Sequence, residues 1–193
     1  MPNSTDAEIS IVGLGGTVRP NSSSERALAK AMAAAQAAGA KTTMYGGEFL
    51  ARLPHYNPAE PGQHAERSIF LESIRTADGV IVSTPGYHGS ISGLVKNALD
   101  SIEGLREDAR PYFDGRAVGV IVAADGWQAS GTTLAAVRGI IHAMRGWPTP
   151  LGAALNSTGG LFDDSGDFRD RRDAWQVETV AQQVVQFARW VRL

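Results

Sequence analysis

The sequence predicts an α/β domain in which a parallel sheet carries helices on both faces. Three observations lead there. Short runs of apolar, β-branched residues alternate with longer stretches at helical spacing, five times along the chain. Two of those runs, Gly79–Ser83 and the one within Arg116–Ala124, are almost wholly apolar, as strands covered on both faces are. The 193 residues, 43% hydrophobic and 20% charged, match the composition of one globular core, so a single domain over residues 1–193 is expected.

Each element has its own justification. Ile9 to Leu14 is a β-rich run that ends in glycines. Ser24 to Ala38 is an alanine-rich helix stopped by Gly39. Lys41 to Tyr45 is a second short strand, and Pro54 to Gly62 a proline-rich loop. Ala65 to Thr76 reads as a helix with Ile69, Phe70 and Ile74 on one side. The third strand, Gly79–Ser83, leads through a turn, Thr84 to Gly89, into a helix over Ser90 to Ile102. That helix carries Ile91, Leu94, Val95, Ala98 and Leu99 at helical spacing. Arg116 to Ala124 is the fourth strand and Thr132 to Met144 the next helix. Trp147 to Leu155 is a fifth strand with an awkward Pro-Thr-Pro near its start. Phe168 to Val191 closes the chain as a long amphipathic helix, with Val177, Val180, Ala181, Val184, Ala188 and Val191 on one stripe. Five parallel strands in a doubly wound sheet most often take the order 2-1-3-4-5, the flavodoxin-like three-layer sandwich.

Composition removes whole classes of function. Lys+Arg 18 against Asp+Glu 20 gives a net charge of -2, which offers no footprint for nucleic acid or an anionic membrane. The absence of cysteine excludes disulfides, thiolate metal sites and cysteine nucleophiles. No apolar run is long enough to cross a membrane, and Met1–Glu8 does not read as a secretory signal, so a cytoplasmic protein is expected. The four histidines are dispersed. Asp163, Asp164, Asp167 and Asp170 do not match a calcium loop and read as a solvated acidic turn capping the last helix, so no metal site is expected. No Gly-x-Ser-x-Gly is present. Trp175, Phe187 and Trp190 on the last helix read as packing or oligomer contacts.

In an open α/β sheet, ligands bind beyond the carboxyl ends of the strands, near the point where the order reverses. Three loops qualify. The first runs from Gly13 to Ser24. It lacks the third glycine of a dinucleotide fingerprint, which would fall at Val18, and Glu48 is the nearest acid to the end of the second strand. What remains is glycine backbone, Arg19, and the hydroxyls of Thr17, Ser22, Ser23 and Ser24 at a helix start. That set suits a phosphate group, or equally a plain serine cap beside a surface arginine. The second reads Thr84-Pro-Gly-Tyr-His-Gly-Ser-Ile-Ser-Gly-Leu-Val-Lys-Asn-Ala-Leu-Asp100. The third is Ala123-Ala-Asp-Gly-Trp-Gln-Ala-Ser-Gly-Thr132.

The second stretch resembles the Thr-Pro-Glu-Tyr-Asn-Gly-Ser-Ile-Pro-Gly…Lys-Asn-Ala-Leu-Asp signature of the NAD(P)H-dependent FMN reductases, a flavodoxin-like family. The first loop is similar to that family's phosphate loop, matching at Gly16, Thr17, Arg19, Ser22 and Ser24. Four positions depart from the pattern: Gly86 stands for glutamate, His88 for asparagine, Ser92 for proline and Thr17 for serine. The resemblance implies a phosphate held by Gly16, Thr17, Arg19, Ser22 and Ser24. It implies an isoalloxazine ring lined by Pro85, Gly86, Tyr87, His88, Gly89 and Ser90, with Asp125, Gly126 and Trp127 closing over it. Trp127 is then a stacking wall for flavin or nicotinamide, or a core residue. The implied cofactors are FMN and NADPH or NADH, with hydride passing from nicotinamide C4 to flavin N5. The reduced flavin then passes electrons on or leaves, and a flavin-dependent monooxygenase is one consumer. No side chain is expected to act as acid or base, because the cofactor carries the chemistry. The family also implies a homodimer or homotetramer with the flavin near the interface, formed around Ser90–Ile102 and Pro54–Gly62. Two other activities fit the same residues: an FMN-bound quinone, azo or nitro reductase, and a non-catalytic flavodoxin-like electron carrier.

Overall fold

The computed structural model describes residues 8–59 and 64–192. Residues 60–63, the end of the expected proline-rich loop, lie outside it, as does most of the polar N-terminal segment. The elements alternate as the sequence predicts. Strand β1 (Ile9–Gly15) leads to helix α1 (Ser23–Ala37), and β2 (Ala40–Tyr45) to a one-turn helix α2 (Gly47–Leu50) and then α3 (Ala65–Thr76). Strand β3 (Gly79–Tyr87) turns into β4 (Ser90–Ile91) and α4 (Gly93–Ser101), followed by a 3-10 turn over Ile102–Leu105. Strand β5 (Ala117–Ala124) leads to α5 (Trp127–Ala143), and β6 (Trp147–Pro148) and β7 (Ala153–Asn156) to α6 (Arg171–Arg192).

The sheet corrects the expected count. It has seven strands rather than five, in the order β2-β1-β3-β5-β6, with β4 on β3 and β7 on β5. The first discrepancy is β4, a two-residue antiparallel partner that pairs Tyr87 with Ser90. It occupies the first residues assigned to a helix over Ser90–Ile102. The second is the expected strand Trp147–Leu155. Residues Trp147–Pro148 pair with Ala117–Val118, the chain then leaves the ladder, and Ala153–Asn156 rejoins β5 at Ile121–Ala124. Pro148 and Pro150 have no amide hydrogen to give the ladder, so this edge lane breaks there. In the gap, Leu151 N donates to Gln183 Oε1 at 3.0 Å and an Arg138 guanidinium nitrogen to Thr149 O at 2.7 Å.

The strands divide their side chains between two cores by parity. Ile9, Ile11, Ile81, Ile121 and Ala123 face α1 and α6. Val12, Leu14, Val80, Val82, Val118, Val120 and Val122 face α3, α4 and α5. Three glycines on the first face seat its helices. A Cβ on Gly13 would come 2.5 Å from Met32 Sδ, one on Gly79 2.5 Å from Val184 Cγ1, and one on Gly119 2.6 Å from Val180 Cγ1. A side chain at Gly79 or Gly119 would press on the branched valines of α6 and force that helix to shift, whereas at Gly13 the flexible Met32 side chain would have to give way.

Arg116, assigned to the start of a buried strand, is buried as a charged group one residue before β5. Its guanidinium donates to Ala77 O at 2.9 Å, Tyr112 O at 3.0 Å and Arg75 O at 2.8 Å. Burial lowers its pKa to about 10. The aromatics of α6 are not core: Trp175 and Trp190 are exposed, and Phe187 stacks at a tilt on Trp147, 6.3 Å away. No helix among the described residues is long and apolar enough to cross a membrane.

Candidate functional site

The loops after β1, β3 and β5 meet at the carboxyl end of the sheet, beside the β1/β3 reversal. Gly16 N donates to Ser83 O at 3.2 Å, and Ser83 Oγ donates to Ser24 O at 2.7 Å. These bonds tie the first loop to the end of β3. Gly15 lies so close to β3 that a Cβ there would overlap Ser83 O.

The first loop shapes itself with its hydroxyls. Thr17 Oγ1 accepts from Arg19 N at 3.1 Å, closing a two-residue turn. Ser22 is the N-cap of α1, its Oγ accepting from Glu25 N at 3.3 Å and lying 3.5 Å from Ser24 Oγ. Ser22 and Ser24 are buried. The amides that open α1 have no acceptor within the helix, which is where a helix receives an anion. Arg19 is exposed, and its guanidinium makes no hydrogen bond or ion pair among the described residues. A neighbour that the sequence did not single out braces this loop. A Cβ on Gly47 would overlap Thr17 O, and one on Gly46 would overlap Glu25 Oε1. Glu48, the nearest acid to β2, instead points outward on α2 and pairs with Arg52 at 3.4 Å.

The second loop is a hairpin. His88 and Gly89 are its two turn residues, with φ of 52° and 79° between paired Tyr87 and Ser90. Both central residues have positive φ, as a type I′ turn requires. Asparagine is favoured there and histidine is among the few tolerated alternatives, which accounts for the substitution at position 88. The His88 side chain is exposed, as are Tyr87 and Ser90, while Pro85 is buried. Gly86 lies against α5: a Cβ there would meet Ala124 Cβ at 2.8 Å and Thr133 Oγ1 at 2.9 Å. The departure at position 86 therefore matches a close approach of α5. Ser92 is the N-cap of α4, accepting from Val95 N at 3.3 Å, and its amide donates to Thr84 Oγ1 at 3.1 Å.

The end of that motif is structural. Lys96 pairs with Asp100 at 2.7 Å along α4, and Ala98 and Leu99 are core. Asn97 Oδ1 accepts from Tyr56 N at 2.8 Å, and its amide nitrogen donates to Pro54 O at 3.1 Å. It thus pins the proline-rich loop to α4.

In the third loop, α5 begins at Trp127, five residues before the expected start at Thr132. Gly126 precedes it with φ 99° and ψ 149°, a conformation open to glycine. Ser130 Oγ donates to Gly126 O at 3.3 Å and to Trp127 O at 3.1 Å, and so holds the first turn. Trp127 is 64% exposed, which removes the core reading of this residue. Asp125 is exposed and accepts from Ser157 Oγ at 2.6 Å. Asn156, at the end of β7, accepts through Oδ1 from Gly126 N at 2.9 Å and Thr158 N at 3.0 Å. No local pattern marks Asn156 or Ser157, because their role depends on β7 lying beside β5.

The acidic cluster is a turn of its own. Asp163 Oδ1 accepts from Ser165 N and Asp167 N, Asp167 pairs with Lys30 at 2.6 Å, and Asp170 Oδ1 accepts from Arg172 N at the start of α6. The Lys30 ammonium holds the Asp167 carboxyl below its usual value.

These residues fit a flavin mononucleotide on three counts. The first two amides of α1 and, in the loop before it, Arg19 have no partner among the described residues. Gly126, whose Cβ would meet nothing within 4 Å, leaves the face of the third loop open. Two exposed aromatic rings, Tyr87 and Trp127, stand on the second and third loops.

A family model described as NADPH-dependent FMN reductase matches residues 9–159. The chain is 30% identical over 118 residues to an FMN-dependent NADPH-azoreductase of Staphylococcus aureus, covering 60% of this chain and 59% of that one. It is 32% identical over 109 residues to the protein of the same name from Staphylococcus haemolyticus, covering 53% of this chain and 54% of that one. The alignments thus span a little over half the length of these curated relatives. Among solved structures, the fold is similar to a flavoenzyme NAD(P)H:(acceptor) oxidoreductase of Paracoccus denitrificans. The TM-score is 0.75 at 18% identity, with 95% of this chain and 97% of that one covered. It is also similar to an NADH:FMN oxidoreductase in its apo form, with TM-score 0.66, 19% identity, and 92% and 89% covered.

Proposed function

The chain belongs to the family of NADPH-dependent FMN reductases, and from that premise we propose that it binds FMN at the carboxyl rim of its sheet and reduces it with NADPH or NADH. One observation carries the reading: three glycine-bearing loops converge beside the β1/β3 reversal, with unpaired amides on the first and an open face on the third.

When bound, FMN would supply the hydride acceptance and electron delivery that no side chain of this rim can supply. The chain's own residues bind and orient. Amides at the start of α1, with Gly16 and Arg19, would hold the phosphate. The hydroxyls of Thr17, Ser22 and Ser24 act on the loop itself and set its shape. Pro85, Gly86, Tyr87, His88, Gly89 and Ser90 would line the ring, with the hairpin turn presenting backbone donors at its edge. Asp125, Gly126 and Trp127 would close the opposite side. Trp127 serves as a flat wall for a ring, a role its exposure supports. No residue is assigned to acid or base catalysis.

A flat aromatic acceptor such as an azo dye or quinone is the second reading, supported by the exposed Tyr87 and Trp127 rings and by the azoreductase relatives. Cytoplasmic location and a homodimer or homotetramer remain part of the proposal. Asn97, which joins the 54–56 segment to α4, supports one continuous surface there.

The test is anaerobic. The purified protein is mixed with FMN and NADPH, and the visible flavin absorbance is followed. Bleaching that depends on the protein is expected. No bleaching together with no FMN binding refutes the proposal. Turnover of azo or quinone acceptors with retained FMN, but not of free FMN, selects the second reading.

A further inference from the structure

The phosphate loop contains its own anion. Glu25 is the third residue of α1, in the first turn whose amides would receive the phosphate. Its carboxylate is folded back over that loop. A Cβ on Gly16 would lie 3.0 Å from Glu25 Oε2, and one on Gly46 would overlap Oε1. The carboxylate makes no hydrogen bond or ion pair among the described residues, so none of their cations pairs with it. The side chain is half-buried, which weakens screening by water.

The nearby cations do not offset it. Arg26 lies over the Phe162 ring, 4.1 Å from its centroid. Lys30 is held by Asp167 at 2.6 Å. Among the described residues Arg19 is the cation left for the phosphate, opposed by one carboxylate of unit charge. The positive end of the α1 dipole, which would attract the phosphate, already has an anion in its first turn.

Resting on the FMN reading, we propose that Glu25 is a built-in competitor of the flavin phosphate, so that the protein holds FMN exchangeably and discriminates weakly between FMN and riboflavin. The phosphate gains from the helix amides and Arg19 and loses to Glu25. Riboflavin has no phosphate and is indifferent to all three. FMN then behaves as a substrate that comes and goes rather than as a permanently seated group.

Equilibrium titration of flavin-free protein tests this by quenching of flavin fluorescence, with FMN and riboflavin in parallel. Glu25→Gln keeps the size of the side chain and removes its charge. A unit charge one side chain away from a phosphate dianion in a water-like medium is worth about five- to tenfold in affinity. Glu25→Gln is expected to tighten FMN by that factor, leave riboflavin unchanged, and lose the advantage in high salt. Glu178→Gln, a charge change at an exposed position of α6, is expected to do neither. Unchanged FMN affinity in Glu25→Gln overturns the proposal. So does equal tightening of riboflavin, which would mean a packing effect, or FMN that stays with the wild-type protein through gel filtration. Wild-type protein that binds neither flavin refutes the FMN reading itself, and with it this inference.

Discussion

Asn156 holds the third loop from a strand that the loop's own sequence does not contain, and removing its acceptor should be felt there first. Its Oδ1 receives Gly126 N at 2.9 Å and Thr158 N at 3.0 Å. Asn156→Leu preserves bulk and deletes both bonds. The Gly126 amide is partly buried, so leaving it without an acceptor costs about 1–3 kcal/mol. The Thr158 amide is exposed and regains water, so its loss adds little. The expected total is about 2 kcal/mol, which for a domain of this size lowers Tm by roughly 4–8 °C. Asn156→Asp keeps the acceptor and should recover most of the loss. Thermal melts measure the total, and hydrogen exchange at Gly126 locates it. A Leu variant that melts with the wild type, or an Asp variant no better than Leu, refutes the account of how this loop is held.

Gly47→Ala drives a methyl into Thr17 O and should displace the first loop, weakening FMN binding by about tenfold, or roughly 1.4 kcal/mol, while α2 still forms; unaltered FMN affinity would show that the loop does not depend on this brace. Arg116→Met leaves one buried carbonyl, Ala77 O, and two partly buried ones, Tyr112 O and Arg75 O, without this donor and should cost about 1–3 kcal/mol in urea denaturation, the removed desolvation cost of the guanidinium offsetting part of the damage; a change under about 0.5 kcal/mol would contradict it. Burial and the charge of Asp170 hold the Asp173 carboxyl above its ordinary 3.8, so the native state binds more protons than the unfolded chain in that interval and stability falls as pH rises through it. Asp173→Asn should therefore be more stable than wild type at neutral pH, with the gain fading in acid below that value. A gain independent of pH would assign the effect to packing instead.

How much of this was legible depended on whether the signal is local. The helix over Ala65–Thr76 needed only its own spacing, and its bounds agree with the structure. The parity of apolar residues on β1, β3 and β5 is local too, and it supplies both cores. The helix start at Trp127 was missed by five residues because Gly126 and Ser130, not an apolar stripe, begin that helix. The break between β6 and β7 was visible only as awkward prolines. Whether a strand tolerates them depends on its being an edge, and that is decided by its neighbours. Within the site, the two motif loops could be found in the chain, but the Gly46–Gly47 brace, Asn156 and Ser157 could not. Each acts across the sheet on a loop distant in sequence.

Glycine shows the division most clearly. The chain has 22 glycines, and glycine marks close approaches and sharp turns of backbone; those in the loops after the strands stand out in the sequence itself. Gly16, Gly89 and Gly126 there do have positive φ. The tertiary structure added a second use: Gly13, Gly79 and Gly119 lie on one face of the sheet and admit α1 and α6. The sequence by itself determined the alternation of strand and helix, the two motif loops and the classes of chemistry that 193 residues without cysteine exclude. Periodicity, turn chemistry and composition are properties of neighbouring residues, so they survive in one dimension. Only the tertiary structure decided which loops brace one another, how Arg116 is satisfied, and that Glu25 folds back over the first loop with no partner among the described residues. Those are contacts between residues far apart in the chain, and no local pattern encodes them.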